Sequence, residues 1–235
     1  MKAYRALLVC GAIFSFSAAK ITASTVIDNT VSWPGWDVGT WGEPLQTATV
    51  GQTFTVGADT RLDSFTFFLA HDSSYDPLTF AAYLMLWNPT GNRATGPVLF
   101  QSGTLHSNDL GYPPTHPGYS VQPFTVLTGG VQLATGQQYV AFFSTSLVNE
   151  GNGKGWLGYA GDTYSGGQFA YIANGTNFSA LTTSTWTTGY PDTGGDLAFR
   201  MAFNTVPEPR SVLSGALLGG LVLIRHRRQK YVFTV

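Results

Sequence analysis

The sequence has little cysteine and, over most of its length, little positive charge. Its single cysteine, Cys10, lies in an N-terminal segment in which Lys2 and Arg5 are combined with the apolar and small residues of Ala6–Ala19. This pattern predicts a secretory signal peptide over residues 1–24, which is removed during export. The exported chain would then contain no cysteine, so we expect neither disulfide bonds nor thiol chemistry in it.

Positive charge is scarce between the two ends of the chain. From Thr25 to Thr205, four Lys and Arg residues stand against twelve Asp and Glu residues, which gives a net charge of −8, whereas the whole chain sums to −1. An acidic body without a basic patch is not suited to bind nucleic acid. We therefore expect no nucleic-acid partner, and other polyanions are disfavoured for the same reason.

The sequence also lacks the motifs of familiar catalytic sites. It has no His-Glu-x-x-His zinc motif, no Gly-x-Ser-x-Gly nucleophile turn and no glycine-rich phosphate loop. We therefore predict that the protein is not an enzyme. A polysaccharide-active enzyme is a distant alternative, because the two carboxylates of a glycosidase are defined by their separation in space and not by sequence spacing.

Metal-ligand patterns are weak. Asp72 and Asp76 could supply carboxylate oxygens to a structural calcium ion. Their spacing matches no defined calcium loop, however, and Asp-Ser-Ser-Tyr-Asp-Pro is favourable turn chemistry. His106 and His116 flank a proline-rich loop and do not have metal-ligand spacing. We therefore predict no metal site and no cofactor, with structural calcium as the alternative.

The body of the chain is rich in Gly, Thr, Ser and aromatic residues, and its apolar residues alternate with a period of two. This alternation predicts β-strands. The clearest cases are Arg61–Ala70, Leu78–Trp87, Gln137–Ser146 and Asp196–Phe203, and further candidates are Gly51–Val56, Val98–Leu105, Gln122–Leu127, Val131–Ala134 and Gln168–Ala173. No long segment shows helical periodicity. Many short strands joined by Gly, Pro, Asn and Asp turns predict an all-β domain over residues 25–205, folded as a two-sheet, jelly-roll-like sandwich.

A tryptophan-rich segment is the most distinctive local feature of this body. Trp33, Trp36 and Trp41 lie in a loop rich in Gly and Pro. Their flat rings could stack on sugar rings, while Asp37 and Glu43 accept hydrogen bonds from sugar hydroxyls. The alternative, which we favour, is that the rings plug one end of the sandwich, because Trp carries a large apolar area. The same two interpretations apply to residues of the late loops, namely Trp156, Trp186, Tyr190 and Asp192.

The last thirty residues have a three-part order. The first part is the extended, proline-fixed motif formed by Val206, Pro207, Glu208 and Pro209. The second is the uncharged apolar run Val212–Ile224, which predicts a single membrane helix. The alternatives are a buried core helix with a charged cap and a hydrophobic end that arose by chance. The third is a basic cluster, which predicts that this end stays on the cytoplasmic side and which contains Arg225, Arg227, Arg228 and Lys230.

This order resembles the PEP-CTERM sorting tail of bacterial surface proteins, which the membrane transpeptidase exosortase processes. The resemblance implies that residues 206–235 form a sorting tail. It also implies two partners, namely the membrane and exosortase, which would recognise the Pro207-Glu208-Pro209 motif and cut nearby.

The body carries a second resemblance. The segments Gly51–Val56, Leu62–Phe65, Gly96–Leu99 and Leu133–Tyr139 form an ordered series. This series is similar to the β-sandwich domains found ahead of PEP-CTERM tails, which in turn resemble carbohydrate-binding modules. The two resemblances imply a non-enzymatic protein of the cell surface or extracellular matrix, anchored in the membrane as a precursor. The alternative is a lectin-like module that binds extracellular polysaccharide through Trp33, Trp36 and Trp41.

Overall fold

The computed structural model of the protein describes residues 24–42, 47–71, 77–110, 121–148, 153–189 and 194–204. Apart from Ser24, the predicted signal peptide lies outside these ranges, and so does the whole predicted sorting tail. Among the described residues, no helix is both long and apolar enough to cross a membrane. The division into residues 1–24, 25–205 and 206–235 therefore stays a prediction.

The described chain folds into fourteen β-strands and one short α-helix, α1 (Ala180–Thr183). In chain order the strands are β1 (Ser24–Asp28), β2 (Asp37–Trp41), β3 (Thr49–Thr55), β4 (Arg61–His71), β5 (Thr79–Asn88), β6 (Arg93–Gln101), β7 (Leu105–His106), β8 (Gln122–Gln132), β9 (Gln138–Ser144), β10 (Gly155–Gly161), β11 (Phe169–Ile172), β12 (Thr187–Thr188), β13 (Asp196–Leu197) and β14 (Phe199–Asn204). The predicted all-β fold is confirmed for these residues.

The first sheet is built around β4, and all its pairings are antiparallel. Along one side β4 pairs with β8, and along the other it pairs with β14 and then, near its C-terminal end, with β10. Strand β1 extends the sheet beyond β14, and β2 extends it beyond β10. The short strand β13 pairs with β10, and the next strand in the chain, β14, pairs with β4.

The second sheet is also antiparallel, and its strand order is β12-β11-β3-β9-β5-β6. Strand β7 pairs with the first residues of β5, whereas β6 pairs with the rest of it. The two sheets pack face to face over one hydrophobic core. This arrangement confirms the prediction of a two-sheet sandwich.

The predicted strand phases are correct in the main core. Phe65, Phe67 and Leu69 of β4 are fully buried, and the Phe67 ring lies 5.1 Å from the ring of Phe143 on β9. On the final strands the alternate residues are buried in the same core: Leu197, Phe199, Met201 and Phe203. The intervening Arg200 is exposed, as its opposite phase predicts.

A second hydrophobic cluster covers the outer face of the second sheet. Tyr83 and Trp87 of β5 and Phe142 of β9 point away from the main core, yet they are buried. The segment that contains α1 lies over them, and its Trp186 ring packs edge-on against both Trp87 and Phe142. Apolar residues on both faces of β5 and β9 therefore reflect two separate cores.

Several predicted element boundaries were wrong. Strand β6 begins at Arg93 and not at Val98, while Gln122–Leu127 and Val131–Gln132 belong to the single strand β8. A register shift and two successive glycines with positive φ interrupt the alternation within β8, which explains the apparent gap. Strands β2 and β10 were interpreted as loops, because glycines at 39, 158 and 161 obscure their apolar pattern.

Candidate functional site

The outer face of the first sheet carries a platform of tryptophan rings. Trp33 packs on Phe68 of β4, with ring centroids 5.0 Å apart, and the two belong to a small cluster with Ala198. Gly158 of β10 makes this contact possible: a Cβ atom there would lie 2.8 Å from Cζ2 of Trp33. A glycine at this position therefore lets an indole ring lie directly on the sheet.

Two hydrogen bonds to its backbone carbonyl oxygen hold the neighbouring Trp36 in place. The Nε1–H of Trp33 and the backbone N–H of Tyr159 both donate to the carbonyl oxygen of Trp36, each at 2.8 Å. Gly35, with φ of +87°, supplies the left-handed conformation that turns the chain between the two tryptophans. The Trp36 side chain itself is 63% exposed. The result is an anchored backbone that presents a large aromatic ring to solvent.

Two further side chains share this face. Asp37 is exposed and pairs with Gly158, so the two residues face the same way. Trp156, two residues before Gly158 on β10, therefore also points outward, and it is half-buried. Trp33, Asp37 and Trp156 therefore share the outer face. Together with the exposed Trp36, which precedes Asp37 in the chain, we call them the aromatic face. The sequence interpretation placed Trp156 in a loop, and only its alternation with the buried Leu157 could have revealed its position.

Trp41 does not belong to the aromatic face. Its side chain is fully buried, and its ring lies 5.4 Å from that of Phe80 and 6.0 Å from that of Phe143. Its Nε1–H finds no hydrogen-bond partner among the described residues. Because Trp41 offers no ring surface to solvent, its position agrees with the interpretation that a tryptophan fills the interior of the sandwich. Trp33 and Trp36 stay candidates for stacking on a sugar.

The remaining candidates from the sequence lie elsewhere. Trp186 is buried in the second cluster and donates its Nε1–H to the carbonyl oxygen of Leu181 at 2.9 Å. Nδ1 of His106 lies 3.3 Å from the hydroxyl oxygen of Thr79. The following candidates lie outside the described residues: Glu43, Asp72, Asp76, His116, Tyr190 and Asp192. In the part of the chain that the structure describes, no three His, Cys, Asp or Glu side chains come together as a metal site.

Arg200 and Asp28 form the charged border of the aromatic face. The Nε of Arg200 lies 2.8 Å from Oδ2 of Asp28, and its guanidinium carbon lies 5.5 Å from the centre of the Phe68 ring. Burial of Asp28 acts to raise its pKa, but hydrogen bonds from Thr30 and the nearby Arg200 outweigh this and lower it. The arginine is therefore already neutralised by a carboxylate.

Two buried features, a carboxylate and a cavity, do not belong to the aromatic face. Asp196 is fully buried, and burial raises its pKa to about 6, but its hydrogen bonds are made with the protein itself. A cavity of about 180 Å³ lies between the sheets and is lined by Val38 and Phe169, among others. Val38 points inward from β2, whereas Asp37 next to it points outward. The cavity and the aromatic face therefore lie on opposite sides of β2.

Comparisons with known proteins give little further guidance. No protein-family model matches the chain, and no curated protein matches it. Among solved structures, a similar one contains the cysteine protease and lectin-like domains of Cwp84, a surface layer associated protein of Clostridium difficile. The match has 15% sequence identity and a TM-score of 0.40, and it covers 68% of this chain but 33% of that one. Similarity at this level does not establish a common function.

Proposed function

We propose that the protein is a non-enzymatic, exported protein of the cell surface or extracellular matrix that binds extracellular polysaccharide through its aromatic face. The observation that carries this proposal is the placement of Trp36. Its ring is 63% exposed, although its backbone is anchored by two hydrogen bonds to one carbonyl oxygen. Large apolar rings usually find burial, so a ring that is held out to solvent on an ordered backbone suggests a binding role.

The chemistry of the aromatic face suits a sugar. A pyranose ring has an apolar C–H surface that packs on an aromatic ring, and its hydroxyl groups need hydrogen-bond acceptors. Trp33 and Trp36 offer the first kind of surface, and the exposed carboxylate of Asp37, next to Trp36 in the chain, offers the second. Because the Trp33 ring lies against Gly158 and hydrogen bonds anchor the backbone of Trp36, little backbone conformational entropy is lost on binding.

Delivery of the protein forms the second part of the proposal, and it rests on the sequence. The N-terminal segment directs export, and residues 206–235 serve as a PEP-CTERM sorting tail. The membrane holds the precursor through the apolar run, and exosortase is the processing partner. The protein then reaches the cell surface or the extracellular matrix, where polysaccharide is available.

A binding measurement on the purified protein tests the polysaccharide proposal. Neutral polysaccharides such as xylan, mannan and β-glucan would be screened by affinity electrophoresis and compared with alginate. For any ligand found, Trp36→Ala should weaken binding about tenfold, the effect of losing roughly 1.4 kcal/mol of ring contact. Leu147→Ala, which also truncates an exposed apolar side chain, is the control and should bind normally. Equal affinity of the two variants would exclude the aromatic face as the binding site.

A further inference from the structure

The aromatic face continues into an uncovered part of the first sheet. Strand pairing places four residues in one row across β1, β14, β4 and β8, namely Val26, Ala202, Ser64 and Leu127. Met201 and Phe65, which adjoin this row, are fully buried in the main core, so the row faces outward. Val26 and Leu127 are 55% and 76% exposed, whereas the two residues between them are small. The row therefore forms a shallow groove, in which Val26 and Leu127 are the walls and the small residues Ala202 and Ser64 are the floor.

The next row joins this floor to the aromatic face. It consists of Asp28, Arg200, Thr66 and Thr125, which pair across the same four strands. The hydroxyl oxygens of Thr66 and Thr125 are 2.8 Å apart, and the Thr125 side chain is exposed. The Nη2–H of Arg200 donates to the hydroxyl of Thr30 at 3.0 Å, and its guanidinium lies over Phe68. The Arg200 side chain therefore extends towards Phe68, the residue on which Trp33 packs.

We call these two rows the outer strip. The strip contains Ser64 and Thr66 of β4, and Phe68, on which Trp33 packs, lies two residues further along the same strand. Four residues of a strand extend about 13 Å, so the strip and the aromatic face together exceed the length of a single sugar ring. An extended ligand that stacks on the tryptophans can therefore continue along the sheet.

The charges on the strip indicate which kind of chain fits. Arg200 is paired with Asp28, and Arg61, at the other end of β4, lies 3.3 Å from Asp63. Neither arginine is left to neutralise a charged sugar, and Asp37 adds negative charge at the aromatic end. The strip instead offers hydroxyl groups and small apolar surfaces. An anionic polysaccharide would be repelled, whereas a neutral one meets hydrogen-bonding groups and ring surfaces.

We propose that the outer strip and the aromatic face together bind the interior of a neutral, linear polysaccharide chain that lies along β4 and β14. This inference rests on the proposed function and adds the class of ligand and its path. The walls formed by Val26 and Leu127 guide the chain over Ala202 and Ser64.

The test uses the full-length protein and the neutral polysaccharide found in the screen, cut into oligosaccharides of two to six units. Affinity, measured by titration calorimetry, should rise with length beyond the disaccharide. Ala202→Arg fills the floor of the strip and should weaken binding of the hexasaccharide at least tenfold. Leu127→Ala removes a wall without disturbing the core and should weaken it less. Leu147→Arg adds the same charge elsewhere and should have no effect.

The outcomes separate this inference from the proposed function. If Trp36→Ala weakens binding but Ala202→Arg and Leu127→Ala do not, the outer strip plays no part and the inference is wrong, although the aromatic face remains the site. Tighter binding of alginate than of any neutral chain would also overturn the inference. If Trp36→Ala has no effect, the proposed function fails first. Because Ala202→Arg could unfold the protein, Leu127→Ala supplies an independent measurement at an exposed position.

Discussion

Gln52 on β3 and Asp196 on β13 join the two sheets through a hydrogen bond of 2.8 Å from Nε2 of the glutamine to Oδ1 of the aspartate. The other end of the Gln52 side chain accepts a hydrogen bond of 2.9 Å from the backbone N–H of Leu197. The second oxygen of Asp196 accepts hydrogen bonds from the backbone N–H groups of Thr163 and Tyr164 at 2.9 and 2.7 Å. A single buried carboxylate therefore ties β3, β13 and the segment after β10 together.

This carboxylate predicts a dependence of stability on pH. Burial raises the pKa of Asp196 from 3.8 to about 6, although the three hydrogen-bond donors oppose the rise. The folded protein then holds the proton to a higher pH than the unfolded chain does. The stabilising contribution is complete below about pH 4 and is lost as the pH rises through 6, and it amounts to about 3 kcal/mol for a difference of two pKa units.

Thermal unfolding between pH 4 and pH 7.5 tests this prediction. Other carboxylates titrate in the same window, so the informative quantity is the difference between variants. Asp196→Asn cannot titrate and should flatten the fall in melting temperature between pH 4 and 6. Asp109→Asn, at an exposed position that is not among the groups acting on Asp196, is the control and should keep the slope of the natural protein. An unchanged slope in Asp196→Asn would mean that this group does not titrate near pH 6.

The final strand provides a test of the core. Phe199 is fully buried, and its ring lies 5.4 Å from that of Tyr164, so Phe199→Ala should lower the free energy of unfolding by about 3–5 kcal/mol. Arg200→Ala breaks an ion pair with Asp28 at the surface and should cost about 1 kcal/mol or less. Urea denaturation of both variants measures the difference. Equal losses would contradict the assignment of Phe199 to the core face.

Much of the fold could be predicted from the sequence because alternation alone determines which face of a strand is buried. The phases of β4 and β14 follow directly from their phenylalanines. The segment that covers the outer face of the second sheet was harder to predict from the sequence. Tyr83 and Phe142 look like solvent-facing aromatic residues until the segment containing Trp186 is placed over them. Strand β10 was missed because its glycines carry no side chain to mark a face.

The candidate site was predictable only in part. The sequence singled out Trp33 and Trp36 by composition, yet the same composition also included Trp41, which is fully buried. Only the folded structure distinguishes them, because Trp41 lies in the main core, whereas Trp33 packs on Phe68 of the outer face and Trp36 is exposed. The outer strip carries no sequence signature, since it is formed by residues of four strands that are distant in the chain.

A third prediction concerns Gly158 and the seating of Trp33. A Cβ atom at this position would lie 2.8 Å from Cζ2 of Trp33 and 3.1 Å from Cβ of Phe68. Gly158→Ala should therefore displace the Trp33 ring and weaken polysaccharide binding several-fold, while the sandwich stays folded. Gly39→Ala is the matched control, because a Cβ atom there meets nothing within 4 Å. Tryptophan fluorescence and binding would be measured together, and the control should change neither.

The last prediction separates a processing signal from a simple membrane anchor. If residues 206–235 only anchor the protein, the apolar run and the basic cluster suffice, and replacing Pro207-Glu208-Pro209 by three alanines should leave localisation unchanged. If the tail is processed, the same replacement should leave an uncut precursor in the membrane, because recognition depends on an extended, proline-fixed peptide with one carboxylate.

Deletion of residues 225–230 should act differently from the triple-alanine change. The deletion removes the positive charges that hold the C-terminal end in the cytoplasm, so the short apolar run could slip through the membrane and release uncut protein. Cell fractionation followed by intact-mass measurement distinguishes these products in the native host. A triple-alanine variant that is cut and released normally would show that the motif is not a sorting signal, and the tail would then be an anchor alone.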